Sequence, residues 1–463
     1  MRLFFCVENF AKIEKAKIDI SNFTVFIGEN NSGKTKLMEL IYGVLQKISV
    51  MCPKIIENFE TDRIELKVAD IEKLINYVND YLDKEKQTIV QSIFNQNIPI
   101  DKMHIEVEDI DFWYEILFIT KSNLNVLIEG DILETEEIQK VVQGITSTNH
   151  IIIVKRNLED NSIIHKWTNG ASSDIPLKIL GPIIIGEVLQ TVIGLETLLA
   201  SDLLFLPASR MGLMLLYKEY FGAKSEDKNE LIREKNQQNQ QLTKPVMDFL
   251  SFLLGYSYSD RRANSNSDII EFINNNLIDG KLNEKGEITT YLPKNENVEI
   301  PLFLSSSMIN ELDPIMKMLT DSRKYSFLFY DEVETSLHPL KQLELVKLLN
   351  RLNNKGTKIL MSTHSEAFVN KMNNLLLMSF SQYSNKNFSL KICEGKLKVT
   401  EEDLLKSSNI HVYQFSNKDN GQSAVKELEF RKIPNIGYTF ELFEDSAIAL
   451  YEESKIALGI EEC

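Results

Sequence analysis

The stretch Phe23-Thr24-Val25-Phe26-Ile27-Gly28-Glu29-Asn30-Asn31-Ser32-Gly33-Lys34-Thr35-Lys36-Leu37 constrains this chain more tightly than any other. An apolar run of β type stops at Gly28, a polar loop returns through Gly33, and Lys34-Thr35 opens a helical run from Leu37 to Leu45. This is the G-x-x-x-x-G-K-[ST] pattern in the strand-loop-helix setting it requires. Two glycines allow the backbone angles that turn successive N–H groups toward one point, and the helix start adds roughly half a positive charge there. A triphosphate such as that of ATP fits a cradle built from Gly28, Asn30, Asn31, Ser32, Gly33 and Lys36. Lys34 would neutralise the β- and γ-phosphates as a point charge, and the Thr35 hydroxyl would hold Mg²⁺.

A chain of 463 residues has room for two or three domains, and 43% hydrophobic residues can fill real cores. Acidic residues outnumber basic ones, 67 to 51, and the formal charge of −16 repels nucleic acid and acidic membrane surfaces. Any DNA contact must then be local or come through a partner. Cys6, Cys52, Cys393 and Cys463 lie far apart with no C-x-x-C spacing, which indicates neither a disulfide framework nor a zinc site and suits a cytoplasmic location. No uninterrupted apolar run reaches the roughly 18 residues of a membrane span. The most tempting run, Ile175 to Leu199, carries Lys178, Glu187, Gln190 and Glu196 and reads as a buried or amphipathic helix.

Along the chain, Arg2 to Val7, Ala16 to Ile20 and Thr24 to Ile27 read as strands leading into the phosphate loop. Ile64 to Lys86 has a helical apolar rhythm and reads as a surface arm. From His104 to Trp167, short β-rich runs at Ile105 to Val107, Trp113 to Ile119, Asn125 to Ile128, His150 to Lys155 and Ile163 to Trp167 predict an antiparallel sheet. The strand Leu203 to Leu206 runs through Pro207-Ala208-Ser209 to Arg210, which either reaches the edge of the nucleotide pocket as a γ-phosphate sensor or is a surface arginine after a core strand. From Tyr217 to about Asn297 the composition turns polar, with a Gln/Asn cluster at Gln237 to Gln241 and an apolar helix from Val246 to Leu254, and a projecting helical insertion is expected.

The second half of the site follows. Tyr325 to Tyr330 is a continuous apolar strand ending in Asp331-Glu332. Ligands of parallel sheets sit outside the carboxyl ends of the strands, so both acids should emerge beside the phosphate loop. Asp331 would join Thr35 around Mg²⁺, and Glu332 would orient and deprotonate the attacking water. After Val333-Glu334-Thr335-Ser336-Leu337-His338-Pro339 comes a helix closed by Gly356, then a strand from Lys358 to Thr363 that delivers His364 toward the γ-phosphate. Upstream, Ser305-Ser306-Ser307 opens a helix and forms either a dipole-assisted anion site or an N-cap with spare hydroxyls. Glu394-Gly395 is read as a strand-turn rather than the start of a nuclease motif, since no D-x-D follows.

Phosphate loop, insertion, serine-rich helix start, Asp-Glu strand and terminal histidine stand in the order of parts of ATP-binding cassette heads. The chain resembles the SMC/RecF-like ATPases of that type, and more narrowly the bacterial stand-alone, OLD-like AAA-type ATPases. The residues that carry the resemblance are Leu206 to Arg210, Ser305 to Ser307 and the Asp331 to Pro339 box, with Val412 to Phe415 and Gly437-Tyr438 in the tail. Val333 departs from the usual proline of that box, and Met308 from the glycine that follows many signatures.

The resemblance implies an α/β fold of ABC-type ATPase head, a mixed β-sheet with phosphate loop plus an antiparallel β-lobe and a helical insertion. The expected parts are residues 1–215 with the loop and β-lobe, 216–297 as the insertion, and 298–463 with signature, acidic strand and histidine. It further implies a Mg²⁺-dependent ATPase whose Ser305 to Ser307 contact ATP held by a second copy in a head-to-tail dimer. Members of this group commonly serve in anti-phage defence beside a separately encoded nuclease, as in the Septu and PARIS systems. The rival expectations are a RecF-like clamp that binds DNA directly and the motor subunit of a transporter, and the net charge and the absence of a membrane segment weigh against them.

Overall fold

The computed structural model describes residues 2–49, 63–110, 114–119, 149–156, 159–168, 203–208, 210–215, 242–285, 288–384, 389–405, 410–431 and 437–458. The chain divides into two compact units, one of Met1–Phe4, Gln46–Lys86 and Met103–Ala200, the other of Phe5–Leu45, Gln87–Lys102 and Ser201–Cys463. In chain order the strands are β1 (Arg2–Phe10), β2 (Ile13–Asp19), β3 (Phe23–Gly28), β4 (Arg63–Leu66), β5 (Lys102–Glu108), β6 (Tyr114–Ile119), β7 (Asn149–Arg156), β8 (Glu159–Thr168), β9 (Leu203–Leu206), β10 (Gly280–Lys285), β11 (Ile288–Pro293), β12 (Ile300–Pro301), β13 (Phe327–Tyr330), β14 (Lys358–Thr363), β15 (Ile410–Asn417) and β16 (Ser423–Leu428). The helices used below are α1 (Lys34–Ser49), α2 (Val68–Phe94), α3 (Lys244–Leu254), α4 (Asp260–Ser265), α5 (Ser267–Phe272), α6 (Ser307–Thr320), α7 (Pro339–Asn354), α8 (Glu366–Ser384), α9 (Leu390–Leu397) and α10 (Glu441–Ala457).

In the first unit, β4, β6, β7 and β8 form an antiparallel sheet in that order. The expected antiparallel lobe is present, but Ile105 to Val107, expected within it, lies in β5, which pairs with β1 at the edge of the other sheet, and β4 takes a place in the lobe instead; the Asn125 to Ile128 run lies outside the described residues. The helical arm begins later than the sequence rhythm suggests. Arg63–Leu66 pairs with Tyr114–Leu117 as a strand, and helix starts only at Val68. Asp70 explains the boundary, because its carboxylate accepts from the Lys67 backbone N–H at 3.2 Å and satisfies a donor that the first turn leaves orphaned.

In the second unit β3 is the central strand, parallel to β14 on one side and β15 on the other. Beyond β14 come β13 and β9, both parallel; beyond β15, the antiparallel β16 closes a hairpin and continues through β2 to β1. All six β3 residues are buried, as a strand covered on both faces requires. Tyr42 of α1 packs edge-on against Phe205 of β9 and Phe329 of β13, which ties the helix after the loop to the strand that bears the acids. This mixed sheet carrying the loop, with a separate antiparallel lobe, is the α/β arrangement expected.

The segment read as a projecting insertion is different. Residues 216–241, which include the Gln/Asn cluster, lie outside the described residues, as does the 175–199 run. The remainder does not project: Phe249, Leu250, Phe252 and Leu253 of α3, and Ile269, Phe272, Ile273 and Leu277 further on, belong to the main core. A hairpin of β10 and β11 follows, with β12 as its third strand. Apolar residues hidden between polar neighbours fill that core, which average composition over the segment obscures. Glu394-Gly395 lies inside α9 and not at a strand-turn, correcting that expectation. No helix among the described residues is long and apolar enough to cross a membrane.

Candidate nucleotide site at the strand ends

The loop between β3 and α1 is shaped by two glycines. Gly28 has φ +144°, and a Cβ there would stand 2.2 Å from the Phe415 carbonyl oxygen of neighbouring β15, so no side chain fits. Gly33 has φ +95° and Asn31 φ +58°, the left-handed steps that curl the loop back to the start of α1. Ser32 Oγ donates to the Glu29 carbonyl at 2.7 Å, and the Glu29 carboxylate accepts from Asn417 Nδ2 at 2.6 Å, pinning the loop to β15. Asn417 Nδ2 also donates to the Asn30 carbonyl at 3.2 Å.

Lys34 folds over this loop. Its Nζ donates to the Gly28 and Glu29 carbonyls at 3.0 and 2.6 Å and reaches Ser32 Oγ at 3.3 Å. Burial pushes its ammonium down to about 8, while the carboxylates of Asp331, Glu332, Glu334 and Glu29 pull the other way. Lys36, by contrast, is turned to Glu39 at 2.8 Å and lies over the Phe94 ring, so only its backbone is available to the loop.

The acids arrive from β13. Thr35 Oγ1 donates to Asp331 at 2.9 Å (Oδ2), with Oδ1 at 3.2 Å. Ser362, near the end of β14, donates to Asp331 Oδ1 at 2.5 Å and accepts from the Glu332 backbone N–H at 2.8 Å. Glu332 takes φ +45°, a strained left-handed conformation for a residue with a side chain, and is half-buried. Burial, then the neighbouring charges of Asp331 and Glu334, raise its carboxyl above the usual range. His364 is half-buried and its backbone N–H donates to Glu334 Oε1 at 2.6 Å, while Thr363 Oγ1 donates to Glu334 Oε2 at 2.7 Å. Burial and then the Lys34 charge push the His364 imidazole below its ordinary value, which favours the neutral ring.

Lys34, Thr35, Asp331, Glu332 and His364 thus share one region with Ser362 and Glu334, two residues the sequence reading did not single out. Glu334 is legible as the third acid of the Asp331-Glu332-Val333-Glu334 run; Ser362 has no signal beyond its place near a strand end. Arg210, expected at the pocket edge or on the surface, is fully buried. Its guanidinium donates to the carbonyls of Pro207 (2.8 Å), Asp331 (2.7 Å) and Glu332 (3.2 Å). Its Nε lies 2.7 Å from Glu311 Oε2, a charge contact without hydrogen-bond alignment. A guanidinium spent this way holds the acidic turn from beneath and does not reach a phosphate.

Ser305 to Ser307 stand apart from the loop. Ser305 Oγ donates to the Leu302 carbonyl at 2.6 Å and accepts from Asn310 Nδ2 at 3.2 Å. Ser306 occupies the N-cap of α6 but makes no side-chain cap bond, and Ser306 and Ser307 are exposed. Among the described residues, no hydrogen bond joins these serines to the phosphate loop of the same chain.

Comparison with known proteins gives three findings. A family described as the AAA ATPase domain matches residues 4–369. An ATP/GTP phosphatase of Helicobacter pylori (strain ATCC 700392 / 26695) is 23% identical over 391 residues, covering 83% of this chain and 91% of that protein. Among solved structures, an SMC head bound to the C-terminal winged-helix domain of ScpA aligns at 13% identity with a TM-score of 0.36, covering 94% of this chain and 99% of the other. The SMC head domain of Thermotoga maritima aligns at 12% identity and 0.34, covering 93% and 100%.

Proposed function

The chain belongs to the AAA ATPase domain family and is an ATPase, and from that premise we propose a Mg²⁺-dependent ATP switch that closes head-to-tail with a second copy. The observation that carries this reading is the 2.9 Å hydrogen bond between Thr35 Oγ1 and Asp331, which joins the phosphate loop to the acidic strand end across 296 residues of sequence. A hydroxyl and a carboxylate side by side are the hard oxygen donors that Mg²⁺ prefers, so Thr35 and Asp331 would hold it. The ion's contribution is charge neutralisation at the phosphate oxygens.

The chain's own groups divide the remaining work. Lys34 exchanges its loop carbonyls for phosphate oxygens, a stronger charge-assisted contact. Backbone N–H groups of the Gly28 to Lys36 loop cradle the phosphates. Glu332 orients the attacking water and takes its proton, and its raised carboxyl keeps it closer in basicity to that task. His364, in its neutral form, offers a hydrogen bond at the γ-phosphate.

Ser306 and Ser307 are exposed at the start of a fourteen-residue helix, and Ser306 makes no side-chain cap bond there, positions suited to ATP bound by the second copy. Phe303, Leu304 and Leu340 are each more than 60% exposed, and closure of two copies would cover such apolar side chains. The switch would govern a separately encoded effector, most simply a nuclease in anti-phage defence as the resemblance implies, with DNA reached through that partner or a local patch. Glu332→Gln should retain ATP, lose about 10² to 10⁴ in turnover, and elute as a dimer on size exclusion with Mg-ATP. Lys34→Ala should remain monomeric under the same conditions. Identical Glu332→Gln profiles with and without Mg-ATP would end the dimer reading.

A further inference from the structure

Helix α6 carries a second polar constellation that the nucleotide site does not use. A pocket of about 580 Å³ is lined by Tyr256, Tyr258, Leu282, Glu284, Asp313 and Met316, among others. That volume falls within the roughly 300–1,000 Å³ of sites for organic ligands. Asp313 is 1% exposed, and while its Oδ1 accepts from Lys317 Nζ at 3.0 Å, its Oδ2 has no hydrogen-bond partner. A buried carboxylate oxygen left unpaired is costly, and native structures rarely keep one without a reason.

Lys317 is shared. Its Nζ also donates to Glu284 Oε1 at 2.8 Å and to Thr289 Oγ1 at 3.0 Å. Burial works against this ammonium, yet Asp313 and Glu284 together carry it above its ordinary value, so it stays charged. Two carboxylates against one ammonium leave the cluster one formal negative charge. The Tyr256 ring lies 5.0 Å from Lys317 Nζ, and its hydroxyl pairs with Thr320 Oγ1 at 2.9 Å.

We propose that this pocket binds an organic cation, a guanidinium or primary ammonium group on an apolar stem. The cationic head meets the Glu284 carboxylate, 23% exposed, while the buried Asp313 adds its negative charge from behind; the stem runs along Leu282 and Met316, and the tyrosine faces add cation–π attraction. A bare divalent ion is the poorer match, because the Lys317 ammonium already bonds one oxygen of each carboxylate, which leaves no full oxygen shell for an ion, and the space far exceeds one ion. The ligand would also bear on the nucleotide site. Asp313 lies on the helix whose first turn presents Ser306 and Ser307 and whose Glu311 contacts Arg210, so a shift of α6 reaches the signature serines and the acidic turn together. This coupling, unlike the pocket, rests on the nucleotide reading given above.

Calorimetric titration of the nucleotide-free full chain with agmatine tests the pocket, with N-butylacetamide as a neutral control and an arginine-containing tripeptide amide as a polypeptide probe. Saturable agmatine binding is expected, with no response to the control. Asp313→Asn should weaken it about tenfold or more. Tyr256→Leu, at a half-buried position, should weaken it several-fold and serves if the first variant does not fold. Tripeptide binding tighter than agmatine would identify a polypeptide side chain as the occupant, and the reverse a free amine. No saturable binding of either cation, or equal binding of the neutral control, overturns the proposal. Saturating agmatine should change ATP affinity several-fold, reciprocally. An unchanged ATP affinity in a chain that binds both overturns the coupling and leaves the pocket; a chain that binds no ATP even without agmatine counts against the nucleotide reading instead.

Discussion

Arg210 holds the acidic turn from beneath, and it shows what a single residue does here without touching the mouth of the site. Its donors pair with the Asp331 and Glu332 carbonyls, and its charge offsets Glu311, whose carboxyl burial raises and Arg210 pulls back. Arg210→Met would leave Glu311 buried without a counter-charge, and by analogy with other broken buried pairs the loss should be about 3–5 kcal/mol in denaturant unfolding. Arg210→Met with Glu311→Leu should recover much of that stability, because no orphan charge remains. Turnover should stay low in the double variant, since the Asp331 and Glu332 carbonyls still lack donors. Full recovery of both would make the pair merely structural. The legibility of the site divides along the same line. Lys34, Thr35, Asp331, Glu332 and His364 were readable because each sits at a fixed offset from a strand end or helix start. Ser362, Glu311 and the buried role of Arg210 depend on neighbours distant in sequence, and no spacing rule encodes them.

Strands and helices were legible where one period dominates. The apolar runs of β3, ending at Gly28, and of β13, before Asp331-Glu332, read directly as strands, whereas the α3 to α5 segment mixes core positions with polar ones, so its composition reads as a projecting helical insertion. β14 offers a test at this scale. Its first residue, Lys358, donates its backbone N–H to the Ser326 carbonyl at 2.8 Å, and burial pushes its ammonium down to about 8 from an ordinary 10.5, with Asp19 pulling the other way. Between those two values the unfolded chain holds the proton and the folded chain does not, so stability rises as pH climbs from about 8 toward 10.5. Below about 8 both forms are protonated and the full desolvation cost of this partly buried ammonium applies. Lys358→Met removes that cost, so its stability advantage over the unaltered chain should be largest near neutral pH and shrink toward pH 10.5. Urea unfolding across that range measures it; an advantage that does not vary with pH would mean the ammonium is solvated in the folded chain.

On the scale of the whole chain, net charge bears on the two partners weighed for the proposed ATP switch, a second copy and duplex DNA. Each copy carries −16, so two copies approaching one another repel, and so do one copy and duplex DNA. The responses to salt differ in sign. Screening over a Debye length of about 10 Å at 0.1 M relieves repulsion between copies, so the Mg-ATP dimer of Glu332→Gln should hold or tighten as salt rises from about 50 to about 300 mM. A complex built on phosphate contacts releases counterions and weakens steeply over the same range, by orders of magnitude when several phosphates are neutralised. Sedimentation of the variant with Mg-ATP across that salt series, with and without a short duplex, separates the cases. A dimer that persists at high salt while no duplex co-sediments fits a switch that reaches nucleic acid only through another protein. Duplex binding by the chain alone that fades with salt would instead make it a clamp, with a basic patch that the global charge conceals.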